Sequence, residues 1–403
     1  MRRSPVAQAG RRRACGPLGR GGAIAAAALC WILGALFVSA PAQAQGRETA
    51  EIRVLLLESR EPVEIRSPAS VHRIALARKT LELVVDGRPS GSLWRPDREG
   101  PWQVGARRYR GGIELRADSG RILVVNRVPL EEYVVATVGG EMPASWPDQA
   151  LRAQAVATRT YALHQRERRT GEAWDVQASE LSQVYRGIES ESATTRRAAE
   201  ATRGEILTHG GRPILAVFHS TAGGRTASAA EVWGRDLPYL GSIDVEYEED
   251  APFTYWRTVF PPETLDRAVA SSLGADIGPL EAIEVDARTE SGRVERIVAR
   301  AGTRAVRLER DQVRALAETL GLRSRLFDIR STPQGFAFVG SGYGHGVGMS
   351  QWGARELARR GASYQRILAR FYPGARLEAW NSENVAVRTE SGERLHPAQP
   401  GGR

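Results

Sequence analysis

The chain has 403 residues, 42% of them hydrophobic and 26% charged, which supplies a large core and predicts more than one domain. Its formal charge is +9, but six arginines and no acid fall within the first 44 residues, so only +3 remains for the rest and nucleic acid is not an expected partner. Both cysteines, Cys15 and Cys30, lie in that same stretch, which excludes a disulfide, a thiolate nucleophile or a cysteine metal ligand from the remainder.

Residues 1–44 read as an export signal. Arginines precede the apolar run from Ala23 to Ala40, and Ala42-Gln43-Ala44 forms an A-x-A cleavage site. An uncleaved membrane anchor is the alternative, because the run approaches spanning length. Residues 45–120 then alternate short apolar runs with turn signals such as Asp86-Gly87 and Gly111-Gly112, and predict a β-rich region.

Pro129 opens a helix that is expected to stop at Gly139-Gly140, delivering Glu141 to a tight corner between apolar Val138 and Met142. Glycines there would let a ligand approach, and apolar surroundings would keep a carboxylic acid protonated for donation, although a surface glutamate in a turn has the same local sequence. Ser145-Trp146-Pro147-Asp148 resembles a capping box for a helix over about 147–170, closed by Gly171. Arg152, Arg159 and Arg166 recur on it at seven-residue spacing, the pattern of a solvated face.

A further helix (about 193–203) leads into a hairpin around Gly210-Gly211, whose second strand delivers His219, Ser220 and Thr221 to the Gly223-Gly224 turn. Residues 262–340 alternate helices and strands and carry few site signals, so they read as scaffold or an inserted subdomain. The run Gly340–Ala354 places Gly342, Gly344, Gly346 and Gly348 at alternate positions around Tyr343 and His345. Such spacing brings backbone close to a ligand or to another strand. Two short helices, about 350–360 and 363–371, and a tail over 381–403 complete a mixed α+β chain with much strand and no internal repeat.

Val128–Val134 running into Gly140-Glu141-Met142-Pro143, then Ala153–Ala162, Gln183-Val184-Tyr185-Arg186-Gly187, Phe218–Gly224, Val232-Trp233-Gly234, Pro238-Tyr239-Leu240 and Gly342–Ala354, closely resembles the SpoIID/LytB family of cell-wall proteins over about residues 121–380. The resemblance implies a lytic transglycosylase that cleaves the bond between N-acetylmuramic acid and N-acetylglucosamine in peptidoglycan strands, with Glu141 as acid and base. It also implies that Arg159 lies in the same cleft, that the strands are stripped of stem peptides in sporulating relatives, and that the protein works outside the cytoplasm, with a cell-wall amidase as a partner of some members. Some relatives carry Cys and His just before Q-V-Y as a zinc site; Trp174–Ser182 has neither, so no metal or other cofactor is expected.

The remaining candidates stay two-sided. His219 and His345 either tie loops to backbone carbonyls or touch sugar; Gln183, Ser220, Thr221, Ser350 and Gln351 are candidate hydrogen-bond partners of the glycan. Tyr185, Trp233 and Tyr343 either stack on sugar faces or pack in the core. A non-catalytic glycan-binding enhancer of an amidase is the competing function. A Ser-His-Asp hydrolase built on Ser220 or Ser350 with His345 lacks a nucleophile-elbow motif.

Overall fold

A computed structural model of the chain describes residues 50–179 and 183–380; the expected leader (1–44) and tail (381–403) lie outside the described residues. The architecture is α+β, with eight helices and several sheets among these residues. The strand Glu51–Ser59 pairs antiparallel with Arg121–Pro129 along its whole length, from Glu51 opposite Pro129 to Ser59 opposite Ile122, and Val176–Gln177 adds on its other side in parallel. The boundary expected at residue 120 therefore runs through the middle of a sheet. Ile52, Val54, Val124 and Val128 point from these strands into one large core that continues to Phe371 and Tyr372. A separate sheet holds the β-rich strands Val63–Arg66, Val71–Leu76 and Leu83–Val85.

Helix α1 (Leu130–Glu141) does not stop at its glycines: Gly139 and Gly140 are helical, and Met142 caps the end in extended backbone. The reason is packing. A Cβ on Gly139 would sit 1.9 Å from the carbonyl oxygen of Ser190, and one on Gly140 would sit 2.1 Å from that of Val184. Glycine there admits the chain's own loop, and tertiary packing outweighs the roughly 1 kcal/mol helix penalty of each glycine.

Helix α2 (Asp148–Arg168) starts after Pro147 with no side-chain cap; Asp148 instead pairs with Arg152 at 2.7 Å. Small residues Ala153, Ala155, Ala157 and Ala162 are fully buried, so α2 runs through the middle of the core. Helix α3 (Ala193–Ala201) carries a true capping box from Ser192 and Thr195. The strand Glu205–His209 then turns back through Gly210-Gly211, as expected. Helix α4 (Ala229–Trp233) follows.

Between Trp256 and Gly340 the chain forms a second core of its own, built by α5 (Pro262–Leu273), α6 (Arg310–Thr319) and six strands around Leu265, Val269, Ile297, Leu316 and Phe338. The chain then returns to the first core through the glycine-rich loop, α7 (Gln351–Arg359) and α8 (Tyr364–Phe371). No helix among the described residues is long and apolar enough to cross a membrane.

Candidate active site

Glu141 closes α1, half-buried, and its two carboxyl oxygens are held by N–H donors from distant parts of the chain. The backbone N–H of Val184 donates to Oε1 at 2.7 Å, and Gln351 Nε2 donates to Oε2 at 3.1 Å. With a donor on each oxygen, the plane of the carboxyl group is set. Gln351 is the first residue of α7, where Ser350 caps the helix by accepting from Gly353 N at 3.2 Å. The next residue, Trp352, donates its N–H to the carbonyl of Ser220 at 3.1 Å, which docks the His219-Ser220-Thr221 segment against the same helix start.

The Gln183-Val184-Tyr185 segment contributes backbone, not side chains. Gln183 and Tyr185 alternate inward, 1% and 2% exposed; Gln183 Oε1 accepts from Tyr133 Oη at 2.6 Å and Tyr185 Oη donates to Asn126 at 2.8 Å. Both are corrected from glycan contacts to core residues, because neither presents a face to solvent.

Arg159 is also corrected. It has no exposed surface; Nε and Nη2 form a fork on Glu131 at 2.9 and 2.7 Å, and the remaining bonds go to the carbonyls of Glu205 and Ala199. The seven-residue spacing did place Arg152, Arg159 and Arg166 on one side of α2, but α3 and the strand Glu205–His209 cover its middle. Arg166 is exposed and Arg152 half-buried, whereas Arg159 ties three elements together.

The alternate glycines approach protein. Gly342, Gly344, Gly346 and Gly348 all have φ between +73° and +105°. An added Cβ would meet Thr221 O at 2.9 Å from Gly342, His219 Cβ at 3.0 Å from Gly344 and Val217 O at 2.2 Å from Gly348. The loop thus wraps the 217–221 segment, with Phe218 and His219 paired in parallel to Met349 and Ser350. At Gly346 the Cβ position is taken by the guanidinium of Arg293, 2.2 Å away.

His345 lies within this wrap. Its Nδ1 accepts from Val347 N at 3.0 Å, so Nε2 carries the proton and donates to Phe218 O at 2.9 Å; burial lowers its pKa to about 4. His219 donates from Nδ1 to Val347 O at 3.1 Å, and burial, then His345 and Arg293, hold its pKa well below the usual imidazole range. Both histidines are loop ties. The alternative of a sugar contact falls away for His219, which is 4% exposed. Thr221 is 1% exposed, and Ser350 is fully buried with its hydroxyl on Glu248, so these two are corrected to packing roles as well. Ser220 is half-buried and Tyr343 is 38% exposed, which leaves both open to a ligand.

Four residues escaped the sequence reading. Glu248, 4% exposed, accepts from Ala222 N, Gly223 N and Ser350 Oγ. Arg293, from the second core, donates to the carbonyls of Ala222 and Arg225 at 3.0 Å each, and burial lowers its pKa to about 10. Trp146 and Trp352 meet edge to face at 5.0 Å, one in the turn after Glu141 and the other beside Gln351. Their signal was available: each indole lies within five residues of a residue in the Glu141–Gln351 contact. Among the described residues, no three of His, Cys, Asp and Glu converge as a metal site.

The stage II sporulation protein family model (SpoIID) matches residues 118–209, and a domain of unknown function (DUF8618) matches residues 239–348. The chain is 32% identical over 267 residues to stage II sporulation protein D of Bacillus amyloliquefaciens, covering 62% of this chain and 74% of that protein. It is 30% identical over 282 residues to an uncharacterised protein of Brachyspira hyodysenteriae, covering 68% of this chain and 74% of that one. An amidase enhancer of Bacillus subtilis is 26% identical over 60% of this chain and 40% of its own length. The chain belongs to the stage II sporulation protein D (SpoIID) family.

Proposed function

We propose that the protein is a lytic transglycosylase of peptidoglycan glycan strands, working outside the cytoplasm, with Glu141 as its single acid and base. The observation that carries this reading is the fixed carboxyl group of Glu141, oriented by Val184 N–H and Gln351 Nε2 at the surface of the core. As an acid, Glu141 gives its proton to the glycosidic oxygen between the muramyl C1 and the next sugar, and that bond breaks through an oxocarbenium-like state. As a base, the carboxylate takes the proton of the muramyl C6 hydroxyl. The C6 oxygen then closes on C1 as a 1,6-anhydro ring, the glucosamine hydroxyl leaves, and Glu141 ends protonated, ready for the next strand.

No second carboxylate is required, because water is not the nucleophile. The acids nearest in sequence or topology support this economy by being engaged elsewhere: Glu131 with Arg159, Glu132 with Arg196, Asp148 with Arg152, Asp175 with Arg53 and Asp244 with Arg225.

Mass spectrometry of glycan digested by the purified protein tests the proposal. Release of 1,6-anhydromuramyl ends is expected, and Glu141→Gln lowers it by at least ~10²-fold while unfolding at the parent's temperature. Reducing ends would identify a hydrolase. The likeness to an amidase enhancer favours a second reading, glycan binding without cleavage, for which unchanged glycan and a stimulated amidase are the expected outcome.

A further inference from the structure

We propose that Arg355 is a receptor for the carboxylate of the muramyl lactyl group, and so makes the site selective for strands in which that acid is free. The assignment rests on the glycan-cleaving reading above. Gln351 and Arg355 stand four residues apart on α7 and share one helix face, about 5–6 Å between their Cβ atoms. Long helical side chains lean back toward the helix N-terminus, so Arg355 leads toward Gln351, which touches Glu141.

The guanidinium is held in place by aromatic rings. Its carbon lies 4.7 Å from the ring centre of Trp352 and 5.7 Å from that of Trp146, and the two indoles are inclined at 70°. Trp146 belongs to the turn that follows Glu141, so the cation sits where the Glu141 segment and the Gln351 segment meet. A cation fixed on two indole rings is pre-organised for an anion, and a planar guanidinium matches a carboxylate with two parallel N–H bonds.

Its charge is only partly offset locally. Glu356 pairs with Arg355 through Nη1 but also with Arg359, so two guanidiniums share one carboxylate. The Arg355 side chain keeps 23% of its surface exposed, unlike Arg159 with none. A strand of N-acetylated hexosamines carries one kind of negative charge, the lactyl carboxylate of muramic acid. Condensing that acid with a stem peptide turns it into an uncharged amide, so a fixed cation beside the cleaved bond distinguishes the two strands.

The test uses the purified Glu141→Gln protein, which leaves strands uncut, and two probes: amidase-stripped glycan with free lactyl acids, and the same glycan with those acids condensed to methylamides. The protein is expected to bind the acid form about 10- to 100-fold more tightly. Adding Arg355→Gln should remove that preference by weakening the acid form alone, and Arg355→Lys should restore part of it. Thermal unfolding of each variant controls for folding. Equal weakening of both probes, no weakening, or no binding of either probe would overturn the assignment. Equal affinity of the Glu141→Gln protein for the two probes, with anhydromuramyl release by the parent intact, would sink Arg355 alone, whereas preference without any release by the parent would sink the transglycosylase reading alone.

Discussion

Two neighbouring residues, Ser350 and Gln351, each hold a glutamate, and the two glutamates live in opposite surroundings. Ser350 meets Glu248, which is sunk behind the glycine loop with Ala222 N, Gly223 N and the Ser350 hydroxyl all directed at it. Gln351 meets Glu141, half-buried at the end of α1, with one N–H donor on each oxygen. A buried carboxylate must be satisfied by the protein itself, because an unpaired one costs several kcal/mol. A working carboxyl must be aimed and yet reachable by a substrate. On the proposed reading, the contrast separates an acid that builds the site from an acid that uses it, held by residues one position apart on the same helix start.

The sharpest way to break that contrast is Glu248→Ala. Two backbone N–H groups and a buried hydroxyl would lose their acceptor, and the urea-unfolding free energy should fall by ~3 kcal/mol or more. An unchanged midpoint would remove Glu248 from the frame. Next in size is Arg159→Lys. An ammonium cannot reproduce the fork on Glu131 together with bonds to two carbonyls, so a loss of about 2 kcal/mol of stability is expected. Glycan affinity, measured well below the melting temperature, should match the parent; weaker binding at unchanged stability would return Arg159 to the cleft.

The smallest effect, and the most diagnostic, is expected from Gly140→Ala. On an ordinary helix this change is worth up to about 1 kcal/mol of stability. Here the new methyl would stand 2.1 Å from Val184 O and push away the peptide whose neighbour donates to Glu141. A fall of about tenfold in kcat with little change in KM is the expected result. A more stable variant with full activity would show that the Val184 donor does not aim the acid.

Much of the frame was legible from local pattern. The helices at 148–168, 351–359 and 364–371 and the Gly210-Gly211 hairpin all follow from periodicity, turn chemistry and recognisable segments. What stayed hidden was each residue's neighbour. Periodicity gives the face of α2 that carries Arg159 but not the carbonyls of Ala199 and Glu205 that cover it. Paired glycines announce close approach without saying to what, and here the visitor at Gly139 and Gly140 is a loop of the same chain. Arg293 was invisible for the same reason: it reaches Gly346 from a region whose own sequence reads as scaffold.

Val184 and Gln351, which donate to Glu141, lie 43 and 210 residues further along the chain. The segment matched by the SpoIID family model contains the acid and Val184 but ends well before Gln351. During synthesis from the N-terminus, the acid is therefore made long before its alignment is complete, and a chain clipped before α7 keeps the carboxyl while losing the Gln351 donor. On the proposed reading, in which Glu141 cuts cell-wall strands, this late contact works as a completion check: only a molecule folded through α7 carries the Gln351 donor to the acid.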